Sequence, residues 1–176
     1  MYEEPKYIIK ITLLGEKNVG KTSLVYRYIE NKFRDSYKAT LGVNLLKKDM
    51  DVDGNGVSVQ IWDLGGQESF RSLRKLYLEG ANGAFVMFDL TDRKTFDKLN
   101  EWIESFKEAR GIQPMVLIGN KSDLENQRKI TDMEASNYAK DNNMELILTS
   151  AKTGQNVEEA FIRLTKRILD IISNQQ

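Results

Sequence analysis

The sequence contains no cysteine and no histidine. The first absence removes disulfides, thiolate zinc sites, thiol nucleophiles and prenyl or palmitoyl attachment to these residues. The second removes histidine triads and histidine-ligated metals. Proline is scarce, with two residues, and no Gly/Ser-rich linker or charge block divides the chain, so residues 1–176 read as one domain. Net charge is also missing: 26 Lys plus Arg balance 26 Asp plus Glu, and neither nucleic acid nor an acidic membrane is an expected whole-protein partner. No apolar run is long enough to cross a bilayer. The opening MYEEPKY lacks the basic and apolar regions of a signal peptide, and Tyr2 stands where myristoylation needs glycine. The expectation is a monomeric cytoplasmic protein without a lipid anchor of its own. Membrane association is expected only through partners or through a tail beyond the final DIISNQQ.

What is present is strongly patterned. KYIIKITLL, residues 6–14, reads as a buried strand ending at Gly15, and residues 21–31 are helical with Leu24, Val25, Tyr28 and Ile29 on one face. Residues 33–42 show no period and read as a loop. VNLLKKDMDV and VSVQIWD, joined by the turn signal DGNG, predict an antiparallel hairpin. DVDGNG also matches the opening of a calcium-binding EF-hand loop, but the twelfth position holds Trp62 instead of a bidentate Glu, which favours the hairpin. Trp62 reads equally well as a buried strand aromatic and as a partly exposed one.

A short helix is expected over residues 70–79, and ANGAFVMFDL, PMVLIGN and MELILTS are three further apolar strands. Helices fall between them: 93–110 after an Asp92 cap, with Phe96, Leu99, Ile103 and Phe106 inward and its charges solvated; 132–141 with the capping box Thr131–Glu134; and a last helix capped by Asn156, with Val157, Ala160, Phe161, Leu164 and Ile168 as its stripe. Alternating strands and helices predict an α/β fold. Its form would be a three-layer α/β/α sandwich with a six-stranded, mostly parallel sheet, one antiparallel edge strand and about five helices.

Gly15, Gly20, Lys21 and Thr22 satisfy G-x-x-x-x-G-K-[ST] between a strand and a helix, the pattern of a P-loop NTPase. Backbone N–H groups of Gly15, Glu16, Lys17, Asn18, Val19, Gly20 and Ser23 would line one concavity at a helix N-terminus, where a phosphate is favoured. Lys21 would place a charge on the β- and γ-phosphates, and the Thr22 hydroxyl would ligate Mg²⁺. A glycine turn followed by a surface lysine is the bland alternative, and both spacing and context oppose it. The loop alone does not choose between ATP and GTP.

The base is addressed by Asn120-Lys121-Ser122-Asp123, at the end of a strand where open α/β sheets bind ligands. Asp123 can accept from both the N1–H and the 2-amino group of guanine, whereas adenine offers no such pair and would leave the carboxylate unsatisfied at about 1–3 kcal/mol. Lys121 can lay its stem over the base and Asn120 can brace neighbouring loops. Ser150-Ala151-Lys152, after the sixth strand, can present a backbone N–H to the guanine carbonyl.

At this point residues 7–172 resemble the Ras-superfamily small GTPases, and the Rab-like branch in particular. GEKNVGKT, the threonine in KATLGV, WDLGGQE, GNKSD and TSAK occur in order. The resemblance implies GTP and GDP as ligands, with Phe33 stacking on guanine. Thr40 would ligate Mg²⁺ and sense the γ-phosphate, and Asp63 would hold Mg²⁺ through water. The Gly66 N–H would meet the γ-phosphate, and Gln67 would orient the attacking water. The catalytic set implied is thus Gln67, Lys21 and Thr40. Leu45, Trp62 and Tyr77 match an effector-facing triad, with Leu45 where Phe is usual. Gly65 stands where Ala is common, and Lys17 and Asn18 replace smaller residues. The expected function is a switch that hydrolyses GTP slowly, with loops 34–42 and 64–77 recruiting effectors and with exchange factors and activating proteins as further partners. The alternatives are a GTP-binding module with negligible turnover and, less favoured, an ATP-dependent small-molecule kinase.

Overall fold

The structure is a computed structural model that describes residues 4–33, 43–64 and 73–176. Strand β1 (Tyr7–Leu14) runs between β3 (Asn55–Leu64) and β4 (Gly83–Asp89), followed by β5 (Met115–Asn120) and β6 (Glu145–Leu148). All these neighbours are parallel. The edge strand β2 (Val43–Val52) is antiparallel to β3, and the order is β2-β3-β1-β4-β5-β6. The expected sheet is therefore present. The turn between β2 and β3 is Asp53-Gly54, both with positive φ (52° and 82°), as a type I′ hairpin turn requires. Calcium chemistry is not needed to explain DGNG.

Every residue of β4 and β5 is buried, because helices cover both faces. On one face Ile9, Ile11, Leu13, Phe85, Met87, Val116 and Ile118 pack against α1 (Lys21–Glu30) and α6 (Val157–Asn174). The predicted α6 stripe is buried throughout, and Phe161 stacks on Tyr28 at 3.9 Å. On the other face Val86, Phe88 and Leu117 meet Leu78 of α2 (Arg74–Leu78), Leu99, Ile103 and Phe106 of α4 (Leu99–Arg110), and Ala135 and Ala139 of α5 (Asp132–Asp141). Each large side chain buried this way contributes about 1.5–3 kcal/mol.

Three details differ from expectation. The helix expected over 93–110 is interrupted at Lys98, giving α3 (Arg93–Asp97) and then α4. Thr95 ties the first piece to the end of β4: its hydroxyl accepts from the Asp89 N–H and donates to the Asp92 carbonyl. Asn156 does not cap α6. It sits at φ 60° and its amide donates instead to the Leu148 carbonyl at 2.8 Å, tying the helix entry to β6. Half of the capping box forms, since Thr131 accepts from the Glu134 N–H while the Glu134 carboxylate pairs with Arg93. The Asp92 cap is present, accepting from Lys94. Among the described residues, no helix is long and apolar enough to cross a membrane.

Candidate functional site

The carboxyl ends of β1, β3, β4, β5 and β6 converge on one edge of the sheet, and the strand order reverses beside β1. Such a crevice is where parallel α/β sheets take ligands. Two glycines shape its phosphate end. A Cβ on Gly15 would lie 2.5 Å from the Met87 carbonyl oxygen, and one on Gly20 (φ 99°) would lie 2.3 Å from the Asn120 amide nitrogen. Asn18 adopts φ 67° in the loop, a conformation asparagine tolerates better than most residues. Its exposed neighbour Lys17 projects from the loop.

Lys21 opens α1 and is buried, donating to the Gly15 carbonyl at 2.6 Å and to the Glu16 carbonyl at 2.9 Å. Burial lowers its pKa from 10.5 to about 8, against the opposing pull of Asp63 and Glu16. The charge of Arg74 lowers it a little further. Thr22 donates its hydroxyl proton to Asp63 Oδ2 at 2.6 Å, so the two residues expected at the metal are already in contact. A hydroxyl and a carboxylate are hard oxygen donors, and so small a protein set suits Mg²⁺, which takes its other ligands from phosphates and water. The residues present fit that ion. Among the described residues there is no cluster of three or more acidic side chains that would compete as a metal centre.

Glu16 turns its carboxylate away from the loop to accept from the Trp102 indole N–H at 2.9 Å. Trp102 is fully buried on α4, and the Arg74 guanidinium stacks 3.6 Å above its ring. Neither Trp102 nor Arg74 carries a motif signature. The inward stripe expected for 93–110 named Phe96, Leu99, Ile103 and Phe106 and missed Trp102, whose place three residues after Leu99 at helical spacing was the available signal.

The base end is held by side chains. Asn120 is 2 % exposed and donates to the Val19 carbonyl at 2.9 Å, while its oxygen accepts from the Thr149 hydroxyl and, at 3.3 Å, from the Ala151 N–H. One amide thus joins the phosphate loop to the loop after β6. Asp123 accepts from the Ser150 hydroxyl at 2.7 Å, and the Lys121 ammonium pairs with the buried Asp89 at 2.7 Å. Lys152 is exposed beside them, and Phe33 is half-buried beyond the end of α1.

Strand pairing also sets Leu45 directly opposite Trp62, and the Trp62 and Tyr77 rings lie 6.3 Å apart. Lys10 braces this group from beneath: its ammonium sits 3.7 Å from the Trp62 ring and donates to the Tyr77 and Glu79 carbonyls. Trp62 is half-buried, the second of its two readings, and Leu45 is 56 % exposed. Thr40, Gly65, Gly66 and Gln67 lie outside the described residues.

The profile of the Ras family matches residues 10–170. The chain is 40% identical over 178 residues to the mouse Ras-related protein Rab-4A, spanning 99% of this chain and 80% of that one. It is 38% identical over 175 residues to human Rab-4A, with the same coverage. With Rab-4 of Dictyostelium discoideum it shares 37% over 172 residues, 97% of this chain and 84% of the relative. The chain belongs to the Ras family. It is a Rab-like, GTP-binding small GTPase, and the crevice described above is where its phosphate and base motifs meet.

Proposed function

We propose that this Rab-like GTPase is a single G domain that binds GTP with Mg²⁺ and hydrolyses it to GDP and phosphate as a timed switch in membrane trafficking or signalling. The observation that carries the reading is the Asn120 amide. It joins the loop of the phosphate motif to the loop after β6 at the carboxyl edge of one sheet.

In this reading Lys21 leaves the Gly15 and Glu16 carbonyls for the β- and γ-phosphates. The N–H groups from Gly15 to Ser23 line the polyphosphate, and Asp123 with the Ala151 N–H identifies guanine, stacked on Phe33 and the Lys121 stem. Thr22, Thr40 and, through water, Asp63 would hold Mg²⁺, which neutralises charge developing on the phosphates. Gln67 orients a water for in-line attack on the γ-phosphorus. The bond to the β–γ bridging oxygen breaks, and GDP leaves carrying that oxygen. Thr40 and Gly66 then lose the γ-phosphate, and loops 34–42 and 64–77 release, altering the surface formed with Leu45, Trp62 and Tyr77. Effectors, exchange factors and activating proteins are the expected partners of a monomer that works in the cytoplasm or at membranes.

Turnover is slow alone, and an arginine from an activating protein would add about 10³–10⁵ in rate. Single-turnover hydrolysis should fall at least tenfold in Gln67→Leu, with GTP affinity unchanged; equal rates would remove Gln67 from the mechanism. The exposed Lys17 at the bend of the phosphate loop favours one second reading, a binding module with negligible turnover. Wild-type hydrolysis near zero, with no response to activating proteins, would select it.

A further inference from the structure

Arg27 belongs to α1, the helix whose first turn carries Lys21 and Thr22, yet its side chain serves the opposite end of the site. Its Nε donates to the Ala151 carbonyl at 2.8 Å and one terminal nitrogen donates to the Lys152 carbonyl at 2.5 Å. The other terminal nitrogen reaches the Asn31 carbonyl and side-chain oxygens at 3.3 and 3.2 Å, where Asn31 ends the helix. All three guanidinium nitrogens are therefore engaged. The aliphatic stem lies against the turn at Gly154, whose added Cβ would stand 3.5 Å from Arg27 Cδ.

The turn held in this way is the one that faces the base. Within it the Gly154 N–H bonds to the Ser150 carbonyl and the Thr153 N–H to the Ser150 hydroxyl, which itself donates to Asp123. Fixing the carbonyls of Ala151 and Lys152 fixes the two peptide planes that follow those residues, and the preceding plane, which carries the Ala151 N–H, is held in the same turn through the Ser150 carbonyl by the Gly154 N–H. The Ala151 N–H is then aimed with only a long bond, 3.3 Å to Asn120 Oδ1, leaving it able to serve a second acceptor in the crevice. A planar fork spans two neighbouring carbonyls; a lysine ammonium reaches them only as a point charge.

We propose that Arg27 is a positioning residue for base recognition: it clamps the Ser150–Lys152 loop to the phosphate-binding helix and thereby sets how long a guanine nucleotide stays bound. The inference rests on the GTP-binding reading above. Loss of either end then loosens the other, because α1 is the body to which both are attached.

The test measures release of a fluorescent GDP by stopped flow from wild type, Arg27→Ala and Arg27→Lys. A second measurement compares affinity for GDP with that for the diphosphate of 2-aminopurine riboside, which lacks both the 6-oxo group the Ala151 N–H would read and the N1–H that Asp123, tied to the same turn through Ser150, would accept. Arg27→Ala should release GDP about tenfold faster, the change expected for about 1.4 kcal/mol of lost charged hydrogen bonding. Its preference for GDP over the 2-aminopurine analogue should narrow by a similar factor, and Arg27→Lys should recover part of both. A purely structural role would weaken both nucleotides equally and leave their ratio at the wild-type value. Unchanged release, or unchanged preference with both nucleotides weakened, overturns the role of Arg27. A wild-type protein that does not prefer GDP to ADP overturns the nucleotide reading itself, and the inference with it.

Discussion

The two ends of the site are built on different principles. At the phosphate end the geometry is mostly backbone, shaped by Gly15 and Gly20, and the buried ammonium of Lys21 is occupied with carbonyls of its own loop. At the base end the contacts are mostly side chain, running through Asn120, Thr149, Ser150, Asp123, Lys121 and Asp89. In the proposed reading the first end would exchange partners when phosphate arrives, whereas the second already holds its network together. A ligand would then gain charge neutralisation at one end and preorganisation at the other.

The contrast breaks most severely at Lys21. Lys21→Met should lower nucleotide affinity by about 10² or more by calorimetry, since no other lysine is buried among the described residues, and a smaller loss would mean the backbone cradle suffices. Next comes Asp123→Asn, which exchanges an acceptor for a donor. GDP affinity should fall about 100-fold while xanthosine diphosphate, with a carbonyl in place of the 2-amino group, should gain; parallel losses for both would remove Asp123 from base reading.

Asn120→Ala acts on the joint between the ends. It strips a donor from the Val19 carbonyl and an acceptor from Thr149 and Ala151. We expect a stability loss of about 2–3 kcal/mol in urea titrations, together with weaker binding. A neutral effect on stability would show that the two loops stand independently.

The smallest effect is one of pH. Lys21 titrates near 8 when folded and 10.5 when unfolded, so between those values the unfolded chain binds more protons. Ligand-free stability from this group should accordingly rise with pH from about 8 towards 10.5. Phosphate binding favours the charged ammonium, so nucleotide affinity should decline a few-fold as pH rises above about 8, with proton uptake on binding visible in buffers of different ionisation heat. Affinity independent of pH across this window would place another group at the phosphates.

The phosphate end was the more legible in sequence, because its parts are contiguous: a strand, a glycine loop and a helix within residues 7–30. The base end was legible as two short motifs but not as a network. That Lys121 pairs with Asp89, or that Asn120 reaches Val19, depends on which strands lie side by side. Arg27 gave no signal, since nothing local distinguishes it from other polar residues of an amphipathic helix. Asn156 misled, because the residue suited to a cap was recruited by a carbonyl of β6.

The sequence by itself determined the alternation of strands and helices, the hairpin turn within DGNG, and the two motifs that point to phosphate and guanine. These depend on side-chain periodicity and on residues a few positions apart, which the chain encodes locally. Tertiary structure alone decided the Glu16–Trp102–Arg74 stack, the seating of Lys10 beneath Trp62, and the Arg27 clamp. Each joins residues from separate elements, and hydrogen bonds and cation–π contacts exist only within a few ångströms, so sheet order and helix packing had to bring them there first.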